Sequence, residues 1–151
     1  MPHVRLGLAT ATALAALALV ACGEDAEEKF RDDYRPLNQQ IRKLDSDMRN
    51  ALERVRRSSN AQIEKRFGAF AQTAGELQQQ VDELEPPQDD AKDEQEDLTE
   101  SLGDVQNALE DIERAADDND PAAARTGAVQ LVTSIGEMRS ARTQLARAAD
   151  L

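Results

Sequence analysis

Apolar residues recur along this chain with gaps of three and four. One series runs Phe30, Tyr34, Leu37, Ile41, Leu44, Met48, Leu52, Val55, and a second from Ile63 through Phe67, Phe70, Ala74 and Leu77 to Val81 and Leu84. A third runs Leu98, Leu102, Val105, Leu109, Ile112, Ala116, and a fourth from Ala128 through Leu131, Ile135, Met138, Ala141 and Leu145 to Ala149. Such spacing gives each helix one apolar stripe, the seam of a bundle. No stretch alternates with period two, and aromatic residues make up only 3% of the chain, so no strand is expected. The spacing predicts helices over about 26–57, 60–84, 88–117 and 121–149. The fold class is therefore all-α, an up-down-up-down antiparallel four-helix bundle.

The punctuation between the series varies in strength. Pro86-Pro87 stops a helix, and Asp89 and Asp90 behind it are candidate caps for the next. Asp120 before Pro121 reads as a cap followed by proline at the first helical position. Ser59 with Gln62 fits a capping box, but no Gly or Pro forces a turn there. One long helix over about 26–84, packed with a helical hairpin, is therefore the alternative architecture. Pro36 falls inside the first series and should kink that helix or mark a later start.

The N-terminal segment has another character. Leu6 to Val20 is 15 residues without a charge behind a head bearing Arg5. This is the length of a signal-peptide apolar region and short of the roughly 20 residues that a spanning helix needs. It ends in Leu19-Val20-Ala21-Cys22, which resembles the lipobox of bacterial lipoproteins. The resemblance covers only the first 23 or so residues. It implies diacylglyceryl transfer to the Cys22 sulfur and cleavage between Ala21 and Cys22, with further N-acylation often following. Ordinary cleavage near residues 16–18, leaving a free thiol, and retention of the apolar run as an anchor are the rival outcomes. The expected organisation is a signal peptide at 1–21, a short acidic linker at 22–28 and a helical domain at 29–151. At about 3.5 Å per residue, that linker would let the first packed turn stand roughly 25 Å from the anchor.

Charge sharpens the division at Cys22. All 30 Asp and Glu follow it, against 17 of the 18 Lys and Arg. So acidic a domain is not expected to bind nucleic acid, where phosphate contacts need a basic surplus. Residues 85–120 carry 15 acids and two bases, whereas 42–66 are mildly basic. An acidic third helix is thus expected to pair with its basic neighbours. Arg54, Arg56 and Arg57 form the one basic cluster, either a solvated face partly paired with the third helix or a contact for an acidic partner or lipid headgroup.

Candidate chemistry is sparse. The single His, His3, and the single Cys lie at or before the expected cleavage point, which leaves the domain without the residues of most zinc sites and of Ser-His-acid arrangements. The acidic runs QDDAKDEQED and ADDNDP lack the alternate-acid, central-Gly spacing of a calcium loop. No metal and no cofactor are expected beyond the covalent lipid on Cys22. Tyr34, Phe67 and Phe70 are core positions first and candidate ligand-lining residues second. Gly68 and Gly75, seven apart, either admit a close helix approach or sit at the surface. The sequence thus points to a non-enzymatic, lipid-anchored envelope protein outside the cytoplasmic membrane. It would meet the membrane through its lipid and act as an interaction or structural module for an envelope protein partner. The alternative is a carrier of small apolar ligands that uses the bundle core.

Overall fold

The apolar seams become the inner faces of four helices. The computed structural model describes residues 18–151, with side-chain surroundings from Asp25 onward. Helix α1 spans Ala18–Arg54, α2 Asn60–Asp82, α3 Asp89–Asp117 and α4 Pro121–Ala148. Each packs on the next, and α1 closes on α4. The protein is an all-α four-helix bundle, with no strand among the described residues. The expected signal segment, the Ala21–Cys22 cleavage point and the surroundings of the Cys22 sulfur lie outside what the described side chains cover.

The chain breaks between α1 and α2, which excludes the single helix over 26–84. A 3-10 turn at Val55–Arg57 leads into Ser58, whose ψ of 145° is extended. Ser59 then caps α2, its hydroxyl accepting from the Gln62 N–H while the Gln62 side chain accepts from the Ser59 N–H. This reciprocal pair satisfies two donors that a helix start leaves open. At the other end, α1 begins at Ala18, well before residue 26, so the acidic stretch 22–28 is helical. Pro36 lies within α1 and does not end it. Proline lacks the N–H that would serve the Asp32 carbonyl. Because Pro36 is exposed, water can take that place.

The start of α3 departs from expectation. Gln88 is its N-cap, without a side-chain capping bond, and Asp89 and Asp90 occupy the first turn. There they favour the positive end of the helix dipole rather than cap it. Asp120 does cap α4, accepting from the N–H groups of Ala122 and Ala123 at 2.9 and 3.0 Å, with Pro121 first in the helix.

Helix α3 lies closest to α2 and α4, and α1 stands further off. Small residues explain the close pairs. A Cβ at the buried Gly127 of α4 would meet Ile112 Cγ1 at 2.9 Å. Gly68 and Gly75 both face α3, and the ends of Glu113 and Gln106 lie across them. By contrast, α1 contributes large buried side chains to the core, among them Phe30, Tyr34, Ile41 and Met48.

The expected ion pairing of α3 with its neighbours is absent among the described residues. The one ion pair of α3, Arg114 with Asp111, is internal. Its acids are largely solvated. Topology accounts for part of this, because α1, which carries many of the bases, is diagonal to α3 in an up-down-up-down bundle; the bases of the adjacent helices, such as Arg66 of α2 and Arg142 of α4, make no ion pair with α3 either among the described residues. The pairs that join distant parts of the chain are Lys29 with Glu85 and Arg139 with Asp45.

Candidate functional site

The two ends of the bundle are built differently. At one end meet the beginnings of α1 and α3 and the ends of α2 and α4. Here Gln95, buried in α3, points its side-chain amide at the last carbonyls of α2. It donates to Val81 O at 2.6 Å and to Asp82 O and Leu84 O at 3.0 Å each. Phe30 and Tyr34 stack with centroids 6.2 Å apart, and the Tyr34 hydroxyl donates to the Arg142 carbonyl at 3.1 Å. Burial pushes the Tyr34 phenol well above its ordinary range, with the nearby Arg142 charge opposing only in part. This closed end is capped by the aromatic stack and the Gln95 bonds, although Arg31 Nε and Arg142 Nε are buried there without a hydrogen-bond partner among the described residues and a small hollow remains beside Phe30.

The opposite end is open. It is formed by the end of α1 with its 3-10 turn, the start of α2, the end of α3 and the start of α4. The connection from α3 to α4 is tight. Asn119 takes a positive φ of 54°. The Asp120 N–H reaches Ala115 O at 2.9 Å and the Asn119 N–H reaches Ala116 O at 3.3 Å. These bonds close α3 in a Schellman motif, with asparagine at the left-handed position. Asp120 therefore ends one helix and caps the next. The Asn60 side-chain amide donates to the Asn119 side chain and links this turn to the start of α2.

Between these tight turns lies a cleft of about 640 Å³. Its walls are Leu52, Val55, Ile63, Phe67, Ile112 and Ala128, one or more from every helix. Four of them, Leu52, Val55, Ile63 and Ala128, are only partly buried although they pack on the core. Arg56, Asn60, Asp120 and Arg125 stand on the rim. Neither arginine makes an ion pair among the described residues. The grooves between helices elsewhere are lined mainly by charged and amide side chains. The cleft thus combines an apolar wall with a small set of polar groups, the composition of ligand sites in general, and its size lies within their range.

The candidate ligand-lining residues do not come together. Phe67 is buried in the cleft wall. Phe70 packs edge-on against Phe67 at 6.1 Å and lies behind the wall, half-buried. Tyr34 belongs to the closed end. At 1.5 Å per helical residue, Tyr34 lies about 30 Å from the end of α1, whereas Phe67 is about 10 Å into α2. Antiparallel connectivity, which the short loops already implied, is the signal that separates them. Sequence reasoning missed Leu52, Val55 and Ile63 as lining residues because periodicity gives a helix face but not where the core opens.

Among the described residues no group of three or more His, Cys, Asp and Glu side chains is placed to hold a metal ion. No described helix is long and apolar enough to cross a membrane. Comparison with protein-family models, curated proteins and solved structures gave no match for the chain.

Proposed function

We propose that the chain is an exported, lipid-anchored helical bundle that acts without catalysis as an interaction or structural module outside the cytoplasmic membrane. The observation that carries this reading is the Leu19-Val20-Ala21-Cys22 motif behind an uncharged 15-residue run. The fold gives the motif a mechanical consequence. Because α1 is already helical at Cys22, the acidic stretch is a rigid stem rather than a flexible tether. Phe30, a buried core residue, follows Cys22 by eight residues, about 12 Å along a helix rather than the roughly 25 Å of an extended linker. An anchored Cys22 would hold the closed end at the membrane. The open end would stand up to about 48 Å away along α1. Replacing Cys22 by Ser and fractionating cells tests the reading. The wild-type chain is expected with membranes, and the variant is expected to lose that association. Equal membrane recovery of both would overturn it.

A second reading, a carrier of small apolar ligands, is favoured by the cleft at the open end. It differs from the sequence-based version in its location, the bundle tip rather than a core site near Tyr34. Quenching or enhancement of a neutral apolar dye such as Nile red by the purified full chain tests it. A dye that gains no fluorescence at any protein concentration would sink this reading.

A further inference from the structure

The cleft's rim narrows the chemistry of what it would take. Its wall is apolar on all four helices, yet the polar groups at its mouth include two cations. Arg56 leaves the 3-10 turn on one side and Arg125 leaves the first turns of α4 on the other. Both are exposed, and neither has an ion-pair partner among the described residues. The one rim carboxylate, Asp120, spends one oxygen on the N–H groups of Ala122 and Ala123. These two cations flank an apolar cleft in a chain of formal net charge −12, whose other groove linings are rich in acids.

We propose that the cleft binds an amphiphile with a single acyl chain and an anionic head, the chain against Leu52, Ile63 and Phe67 and the head between Arg56 and Arg125. The proposal rests on the carrier reading and adds the sign of the head group to it. A carboxylate or phosphate head would take charge-assisted hydrogen bonds from the guanidinium groups, which are stronger than neutral ones. A neutral head of the same size would forgo them. An acyl group carried on the same chain's Cys22 would lie at the other end of α1, so the occupant is a separate molecule.

Displacement of Nile red from the full chain tests this with three ligands of equal length below their micelle concentrations: dodecanoate, dodecyl phosphate and 1-dodecanol. Either anion is expected to compete about tenfold better than the alcohol, as one or two charge-assisted bonds allow. The preferred anion identifies the head. Arg56→Gln with Arg125→Gln, both exposed positions, should erase the preference and leave dodecanol binding in place. Ala128→Phe, or Ala124→Phe if the first unfolds, should fill the cleft and abolish displacement by all three at unchanged helicity. Equal competition by anions and alcohol, or an unaltered preference in the arginine variant, overturns the anionic head while leaving a carrier standing. Dye uptake with no displacement by any of the three overturns the acyl-chain assignment. Absence of any dye or ligand binding fails the carrier reading itself.

Discussion

Arg139 on α4 grips Asp45 on α1 through two parallel hydrogen bonds, Nε to Oδ2 at 2.9 Å and Nη2 to Oδ1 at 2.6 Å. This fork spans the loosest side of the bundle, where α1 and α4 stand furthest apart among neighbours. The Asp45 side chain is only 13% exposed and that of Arg139 is 38% exposed. The hydrogen bonds that Arg139 donates to Asp45 hold its guanidinium above its ordinary pKa. Solvent at the arginine screens the pair, so its coupling should be about 1 kcal/mol rather than the larger figure of a buried fork. A double-mutant cycle of Asp45→Ala and Arg139→Ala in urea unfolding measures it. A coupling indistinguishable from zero would show that this fork does not help to hold α1 against α4.

Gln95 should matter more than its type suggests. Its amide serves the carbonyls of Val81, Asp82 and Leu84, all of which lie in the last turn of α2 or just beyond it. Gln95→Leu removes the donor and leaves carbonyls near the core unserved, at a cost of about 1–3 kcal/mol. Gln95→Glu should cost more at pH 7, because a carboxylate would face three carbonyl oxygens. That gap should narrow at low pH, where the protonated acid can donate. Chemical denaturation of the two variants at pH 7 and pH 4 checks this, and equal stability of Leu and Gln at position 95 would contradict it.

Two glycines of α4 should respond to alanine with opposite signs. At Gly136 an added Cβ meets nothing within 4 Å, so Gly136→Ala should stabilise by about 1 kcal/mol through helix propensity. At Gly127 the same Cβ meets Ile112 Cγ1 at 2.9 Å and the Ile112 backbone nitrogen at 3.4 Å. The clash of about 1–3 kcal/mol should outweigh the propensity gain. Thermal unfolding of the two variants is the measurement. Stabilisation at both positions would mean that α3 and α4 are not held as closely as Gly127 requires.

Tyr34 is the only tyrosine, and there is no tryptophan, so absorbance near 295 nm reports one phenol. Its pKa is raised in the folded state, chiefly by burial. A raised folded value means that the stabilising contribution is complete below the unfolded value of about 10 and is lost as pH rises beyond it. The wild type should therefore lose stability above about pH 10, with phenolate appearing only as the helix signal falls. Tyr34→Phe should flatten that alkaline loss. A phenol titrating near pH 10 in the intact fold would contradict its burial.

Much of the fold was legible because it depends on periodicity and on local punctuation. The seams gave four helices, and Ser59 with Gln62 and Asp120 with Pro121 gave two of their starts. What escaped depends on tertiary placement. Gln95 looks like any surface glutamine until α2 is known to end beside it. Asp89 and Asp90 have capping chemistry, but the extended backbone before α3 puts Gln88 at the cap. Pairing of α3 with the basic stretches of its neighbours looked sensible from charge alone, but α1 proved diagonal to α3 and the bases of α2 and α4 make no ion pair with its acids among the described residues. The candidate site was legible only at Phe67 and at Arg56, which stands in the sequence as part of the Arg54, Arg56 and Arg57 cluster, whereas nothing in the sequence marks Arg125 as its counterpart.

The mass of the N-terminal peptide of the chain recovered from the membrane fraction tests the central claim most directly. The recovered chain is expected to begin at Cys22 and to carry a diacylglyceryl group on its sulfur, with or without an N-acyl group. An intact Met1, or a Cys22 free of lipid, would contradict it.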